Sequence, residues 1–337
     1  MSRLALALLA ALPAFGAVTG TVINRTTGAP LAGVTVGLDK LGQSGPEPVA
    51  ETKADAQGRF TIAQDTSGQM PYLLRAEYDG VRYFHMLPPG TPSSGITLDV
   101  YQASTKAGEA KVSKHMILFQ PSDGKLAVNE TYILENGGKT AWNDPGAGTV
   151  QFFLPAGADG KADVQATEPG GMPISAGVVK AGKSGLYGVD FAVKPGETRI
   201  DVNYSLPYTA GSPFSGKIAS RDDNTYLIAP NGVTLDGKGL KDLGTEPRTQ
   251  AHIYGLAATA YDVKLTGAVA AAADNGAGDA TDSSGPQIEQ IMPRLYTQAV
   301  PILGIALGIL GLGFVLLYRA GQPVPHGRAV STGPERK

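Results

Sequence analysis

The chain has 337 residues, of which 42% are hydrophobic and 17% charged, so it is long enough for two domains with buried cores. It has no cysteine, which excludes disulfides, thiolate metal sites and a cysteine nucleophile, and its net charge of -2 offers no basic surface for nucleic acid. Glycine (45 residues) and proline (24 residues) are frequent, which favours closely spaced turns and β structure.

The first residues are typical of a cleaved signal peptide. Arg3 precedes the apolar run Leu4–Leu12, which is far shorter than the roughly 20 residues that a membrane span needs. Small residues then occupy the positions that signal peptidase reads. We therefore predict that residues 1–16 are a signal peptide cleaved after Gly16, with cleavage after Ala17 as the alternative.

Short alternating segments follow. Apolar and polar residues alternate at 34–38, 59–63, 72–78, 81–85 and 96–100, as expected for half-buried strands. Asp79-Gly80, between two of these segments, is the two-residue loop that favours a tight hairpin. With no helical periodicity, this pattern predicts a small antiparallel β-sandwich over residues 17–102.

These segments also resemble the carboxypeptidase regulatory-like family, a transthyretin-like sandwich. The resemblance is carried by Gly20–Val22, Gly28–Val36 (GAPLAGVTV), Thr52–Ile62 (TKADAQGRFTI) and the strand from Tyr72 onward. In that family the proline and glycine place the first turn, and the aspartate-to-glycine turn closes the next hairpin. The resemblance implies a sandwich fold and says almost nothing about activity. Because the family is structurally akin to starch-binding sandwiches, it also implies a glycan surface as one alternative.

The strand pattern restarts after this domain. The clearest predicted hairpin joins the alternating segments 187–193 and 200–206 through the turn Lys194–Glu197. We interpret residues 107–266 as one larger β-sandwich, or as two subdomains divided near 211–213. The predicted fold class is therefore all-β, with two antiparallel β-sandwich domains, or three.

The composition changes after the last predicted strand. Residues 267–298 are rich in small and acidic residues without strand alternation, which predicts a flexible stalk. Residues 299–318 form an uncharged apolar run, long enough as a helix to cross a hydrocarbon core of about 30 Å. The basic tail at 319–337 predicts a cytoplasmic C-terminus by the positive-inside rule. The N-terminal domains would then be extracytoplasmic, anchored to the cytoplasmic (inner) membrane of a bacterial-type envelope.

The predicted span carries a small-residue motif. Gly304 and Gly308 have GxxxG spacing, which allows two membrane helices to approach closely. They are candidates for helix packing, so a homodimer through this helix is one alternative. Glycine is common in membrane spans for other reasons, and a span without self-association is the other alternative.

No catalytic pattern emerges from the sequence. Residues 177–184 match the phosphate-loop pattern GxxxxGK[ST], but an alternating strand rather than a helix follows, so we expect a hairpin turn there. None of the four histidines stands in a zinc-binding motif, and no nucleophile elbow occurs. We therefore predict no catalytic residue, no cofactor and no metal site, and a protein that is not an enzyme.

Aromatic residues are the remaining candidates for a ligand surface. Tyr83 and Trp142 each stand beside polar turns and are candidates for an exposed surface, with core packing as the equal alternative, whereas we favour core packing for Tyr72 and Tyr78. Our hypothesis is a membrane-anchored, non-catalytic module that binds or scaffolds a protein partner. Two alternatives stay open: a carbohydrate-binding surface that uses Tyr83 and Trp142, or an accessory subunit of a separate envelope enzyme or transport complex.

Overall fold

The computed structural model describes residues 16–42, 45–182, 184–219 and 224–269. Their regular elements are β-strands, apart from one 3-10 turn at Ala156–Ala158. The all-β prediction is therefore confirmed for this part of the chain.

Several predicted segments fall outside the described residues. They are the signal peptide except for Gly16, the stalk beyond residue 269, the membrane span with Gly304 and Gly308, and the C-terminal tail. Within the described ranges, no helix has the length and apolarity needed to cross a membrane.

The first sandwich consists of two four-stranded sheets. Its strands are β1 (Val18–Asn24), β2 (Ala29–Pro30), β3 (Thr35–Gly42), β4 (Gly45–Lys53), β5 (Arg59–Ile62), β6 (Tyr72–Tyr78), β7 (Val81–Leu87) and β8 (Ile96–Val100). One sheet contains β1, β2, β5 and β8, and the other has the order β4-β3-β6-β7. All pairs are antiparallel except β1 with β8. The alternating apolar residues of both sheets form one buried cluster that includes Val36, Phe60, Leu74 and Leu98.

The predicted hairpin at Asp79-Gly80 is confirmed. Tyr78 pairs with Val81 across the two-residue loop. Asp79 and Gly80 have φ angles of 53° and 73°, the left-handed values that a turn matching the twist of the strands requires.

The second region contains three sheets and a short link to the first sandwich. Its elements are β9 (Ala103–Ser104), β10 (Ala110–Ser122), β11 (Lys125–Asn136), β12 (Ala141–Trp142), β13 (Gln151–Phe153), β14 (Asp163–Thr167), β15 (Ile174–Ser175), β16 (Gly177–Lys180), β17 (Leu186–Asp190), β18 (Gly196–Pro207), β19 (Pro213–Lys217), β20 (Thr225–Ala229), β21 (Val233–Gly237), β22 (Leu240–Thr245), β23 (His252–Leu256) and β24 (Ala260–Gly267). An eight-stranded sheet has the order β15-β14-β18-β11-β10-β20-β23-β22, and the two three-stranded sheets are β13-β17-β16 and β19-β24-β21.

One hydrophobic core unites these three sheets. It extends from Ala110 to Leu265 and includes Phe119, Leu134 and Leu227, each almost fully buried. Strands on both sides of residues 211–213 contribute to it, and β20 pairs in parallel with β10 across that point of the chain. The second region therefore has a shared core throughout.

The predicted hairpin between 187–193 and 200–206 is wrong. Both segments contain strands, but β17 pairs with β13 and β16, whereas β18 pairs with β11 and β14. Alternation identifies the buried face of a strand but not its partner. Between Asp190 and Gly196 the chain passes from a three-stranded sheet to the eight-stranded one.

The segment that matches the phosphate-loop pattern forms a hairpin arm. Gly177–Lys180 is β16, which pairs antiparallel with β17 from Gly177↔Asp190 to Lys180↔Tyr187. A strand therefore follows the motif, as predicted, where a phosphate loop requires a helix.

Candidate functional site

Tyr83 does not present its ring to solvent. The residue is 2% exposed, and its hydroxyl donates a hydrogen bond to the carbonyl of Tyr101 at 2.8 Å. It shares the inward face of β7 with Val81 and Leu87. The exposed alternative for Tyr83 is therefore wrong, because the alternation of β7 decides its orientation and the nearby turn does not.

Trp142 lies at the junction between the first sandwich and the second region. It is half-buried and packs against the second core. Its strand, β12, pairs in parallel with β9 of the link. The backbone of Trp142 also exchanges two hydrogen bonds with that of Val193, at 2.8 and 2.9 Å. The backbone around this half-exposed residue is thus held on two sides.

Packing and hydrogen bonds hold the two parts of the chain together. Ala141, from the second region, is fully buried within the core cluster of the first sandwich. Side-chain hydrogen bonds also cross the junction: Asn143 Nδ2 donates to the Gly80 carbonyl at 3.3 Å, Thr26 Oγ1 donates to the Lys139 carbonyl at 2.5 Å, and the Ala103 N–H donates to Asp79 Oδ2 at 2.7 Å. These contacts come from separate loops and favour a fixed orientation of the two parts.

Lys194 adds a buried charge to this junction. It is 8% exposed, and its ammonium group binds the carboxylate of Glu168. The same ammonium lies 4.8 Å from the ring centroid of Tyr83 and 5.6 Å from that of Phe84, within range of cation–π attraction. Burial lowers the pKa of Lys194, and the charge of Glu168 opposes that shift. Tyr83 therefore contributes to the junction rather than to a surface.

A cleft of about 380 Å³ opens beside Lys194. The first sandwich contributes Arg82 and Phe84 to its lining, and the second region contributes Asp190 and the segment 174–177. The cleft thus combines charges of both signs with an aromatic ring and a stretch of extended backbone.

That stretch of backbone is an open strand edge with exposed apolar side chains. β15 is the terminal strand of the eight-stranded sheet, and β16 is the terminal strand of a three-stranded sheet, within the described part of the chain. Met172, Ile174 and Val178 are 55%, 40% and 38% exposed. We refer to residues 172–180 as the open edge. Such an edge can pair with an extended segment of another chain.

Neither the open edge nor the pair of Lys194 with Glu168 was predicted from the sequence. Lys194 was assigned to a hairpin turn, and its partner is 26 residues away in the chain. For the open edge a signal was present. The stretch around residues 172–178 is rich in glycine and proline but contains the apolar residues Met172, Ile174 and Val178. These side chains have few apolar neighbours in the sequence with which to form a core.

The described residues contain no cluster of potential metal ligands. No group of three or more histidine, aspartate or glutamate side chains there is placed to hold an ion.

Comparisons with known proteins add little. No family model matches the chain, and no curated protein matches it. Among solved structures, the chain is similar to a mutant M1 zinc metallopeptidase from Deinococcus radiodurans, with a TM-score of 0.26 and 9% identity over 46% of this chain. The mutant bound to a Tyr-Ser-Ala substrate gives a TM-score of 0.27 and 9% identity. The chain spans 42% of the length of either structure.

Proposed function

We propose that this protein is a non-catalytic binding module that holds a protein partner through the open edge and the adjacent cleft. The observation that carries the proposal is the exposure of Ile174 and Val178 on terminal strands, with Met172 also exposed just before the first of these strands. An extended segment of the partner would add a strand to this edge, and its side chains would reach the charged cleft.

The contrast with other terminal strands supports the proposal. β4, a terminal strand of the first sandwich, carries Pro46, Pro48 and three charged residues. β22, at the far end of the eight-stranded sheet, carries Lys241 and Asp242. Prolines and charges are common means of preventing edge-to-edge association. The open edge has a single charge, Lys180, at its last position, and its one proline, Pro173, stands before β15 and not within a strand.

Membrane anchoring is part of the proposal and is supported by the sequence. A signal peptide over 1–16, a stalk over 267–298 and a span over 299–318 would place the binding module outside the cytoplasmic membrane, with the tail inside. The resemblance of residues 17–102 to the carboxypeptidase regulatory-like family would make the first sandwich its transthyretin-like part. Packing at Gly304 and Gly308 would allow a homodimer.

The carbohydrate alternative has less support than protein binding. Stacking on a sugar ring needs an exposed aromatic face, and Tyr83 is buried. Of these two candidates, Trp142 keeps part of its surface accessible.

The proposal is tested by charge substitutions on matched edges. In the full-length protein, the Ile174→Asp, Val178→Asp double variant should lose its co-purifying partner after crosslinking in intact membranes. The control is the Val49→Asp, Leu243→Asp double variant, whose sites are 40% and 47% exposed and whose change in net charge is the same. If both variants keep the partner, or both lose it, the open edge is not the binding surface.

A further inference from the structure

A second cavity lies inside the larger region, away from the junction. Its volume is about 210 Å³, and residues of all three sheets line it. Four aromatic residues face it, namely Phe153, Tyr204, Phe214 and Tyr261, together with the carboxylate of Glu130. This volume suits a small headgroup, because pockets for drug-sized molecules start near 300 Å³.

The carboxylate of Glu130 is deeply buried and held by hydrogen bonds. The residue is 4% exposed. Its Oε1 accepts a bond from the Tyr204 hydroxyl at 2.9 Å, and its Oε2 accepts one from the Tyr132 hydroxyl at 2.7 Å. Burial, together with the charge of Glu130, raises the pKa of both hydroxyls well above the usual value, so both act as neutral donors.

His115 is the third side chain in contact with Glu130. Its Nε2 lies 3.2 Å from Glu130 Oε2, and its ring stacks on Tyr132 with centroids 4.0 Å apart. The Nδ1 atom has no hydrogen-bond partner in the described part of the chain, and the residue is 1% exposed. A protonated ring would bury an unpaired N–H, whereas the neutral tautomer that donates from Nε2 leaves only a lone pair unpaired.

We propose that this cavity binds a small organic cation with a methylated or primary ammonium group. A buried carboxylate favours a positive counter-charge, and aromatic faces attract ammonium groups by cation–π interaction. A metal ion would need several free oxygen ligands. Here Glu130 is the one carboxylate in the lining, and tyrosine hydroxyls already occupy both of its oxygens.

Two features indicate a built site rather than a packing defect. Tyr261 lies directly over Gly216, where an added Cβ would be 2.2 Å from the ring, so glycine is needed for this ring position. Lys217, exposed at the cavity, places its own ammonium 5.9 Å from the ring centroid of Phe153. A cation of the chain itself thus lies over one of the four rings and would compete with a ligand.

Calorimetric titration of the full-length protein tests the proposal. Choline is the probe, and 3,3-dimethylbutan-1-ol is its neutral counterpart of the same shape, both measured at constant ionic strength. We expect saturable binding of choline and none of the alcohol. Tyr261→Leu should weaken choline binding about tenfold, since a desolvated cation–π contact contributes on the order of 1–2 kcal/mol. Glu130→Gln should abolish it.

Two variants at lysine residues test the proposal even if Glu130→Gln fails to fold. Lys217→Met should tighten choline binding several-fold by removing the competing cation. Lys264→Met, at an exposed position of β24 in the same sheet and outside the cavity lining, changes the net charge equally and should leave the affinity unchanged. Equal binding of choline and the alcohol, no binding of choline, or equal affinities of the two lysine variants would overturn the proposal.

Discussion

The ion pair of Lys194 with Glu168 should respond very differently to loss of one charge and loss of both. Lys194 is 8% exposed and lies over Tyr83 as well as against Glu168. Glu168→Gln leaves the ammonium buried without a counter-charge, and we expect it to lower the free energy of unfolding by about 3 kcal/mol. Lys194→Met keeps the apolar stem and removes the charge.

The double variant is the sharper measurement. With Lys194→Met already present, Glu168→Gln no longer leaves a buried charge unpaired. The double variant should therefore be more stable than Glu168→Gln alone, by about 2 kcal/mol. The two side chains are in contact, so the effects of the single substitutions should not add.

The pH dependence follows from the pKa of Lys194. Burial lowers this pKa below its usual value near 10.5. At pH values between the folded-state pKa and the unfolded value, the folded protein therefore binds fewer protons than the unfolded chain. Stability should then rise with pH as the pH passes the folded-state pKa toward the unfolded value. Lys194→Met should lack this rise.

The sole tryptophan makes the junction directly observable. Trp142 lies at the junction, so its fluorescence during denaturant unfolding reports the opening of this region. The reasoning would be refuted if Glu168→Gln changed the unfolding free energy by less than about 0.5 kcal/mol, or if the double variant were no more stable than Glu168→Gln.

Three further predictions concern the folded state. Tyr83→Phe should lower the free energy of unfolding, measured with heat or denaturant, by about 1 kcal/mol, because it removes the hydrogen bond to the Tyr101 carbonyl. If this variant lost partner binding but kept full stability, the structural role of Tyr83 would be contradicted. Gly188→Ala should lower the free energy of unfolding by about 3 kcal/mol or more, since its Cβ would lie 1.9 Å from the Ala147 carbonyl oxygen. Unchanged stability would contradict the close approach of the turn at Ala147 to β17. Burial raises the pKa of Tyr204, so the folded state keeps a proton that the unfolded chain loses, and the free energy of unfolding should fall above about pH 10. Tyr204→Phe should make that fall shallower. An identical dependence of stability on pH in both proteins would count against the buried hydroxyl.

Local features of the fold could be predicted from the sequence because they depend on neighbouring residues. The Asp79-Gly80 hairpin is set by two residues that accept left-handed backbone. The inward faces of β6 and β7 follow from alternation. Partner choice could not be predicted, because β17 and β18 have the same alternation whether or not they pair.

The Glu130 cluster was overlooked although the sequence carried a signal for it. Leu126, Val128, Tyr132 and Leu134 alternate along β11 with Glu130 among them on the buried face. A charged residue at a core position needs a partner or a function. Tyr132 is on the same strand, but the other partners, His115 and Tyr204, come from β10 and β18, so only the tertiary pairing completes the cluster.

Site-specific photocrosslinking tests the central proposal most directly. A photoreactive residue is placed at Val178 on the open edge and, in a matched protein, at Leu243 on the charged edge strand β22, both in full-length protein in intact membranes. Binding of a protein partner at the open edge predicts a discrete crosslinked adduct from position 178 that is absent from position 243. Adducts of equal yield at both positions, or an adduct at 243 alone, would contradict it.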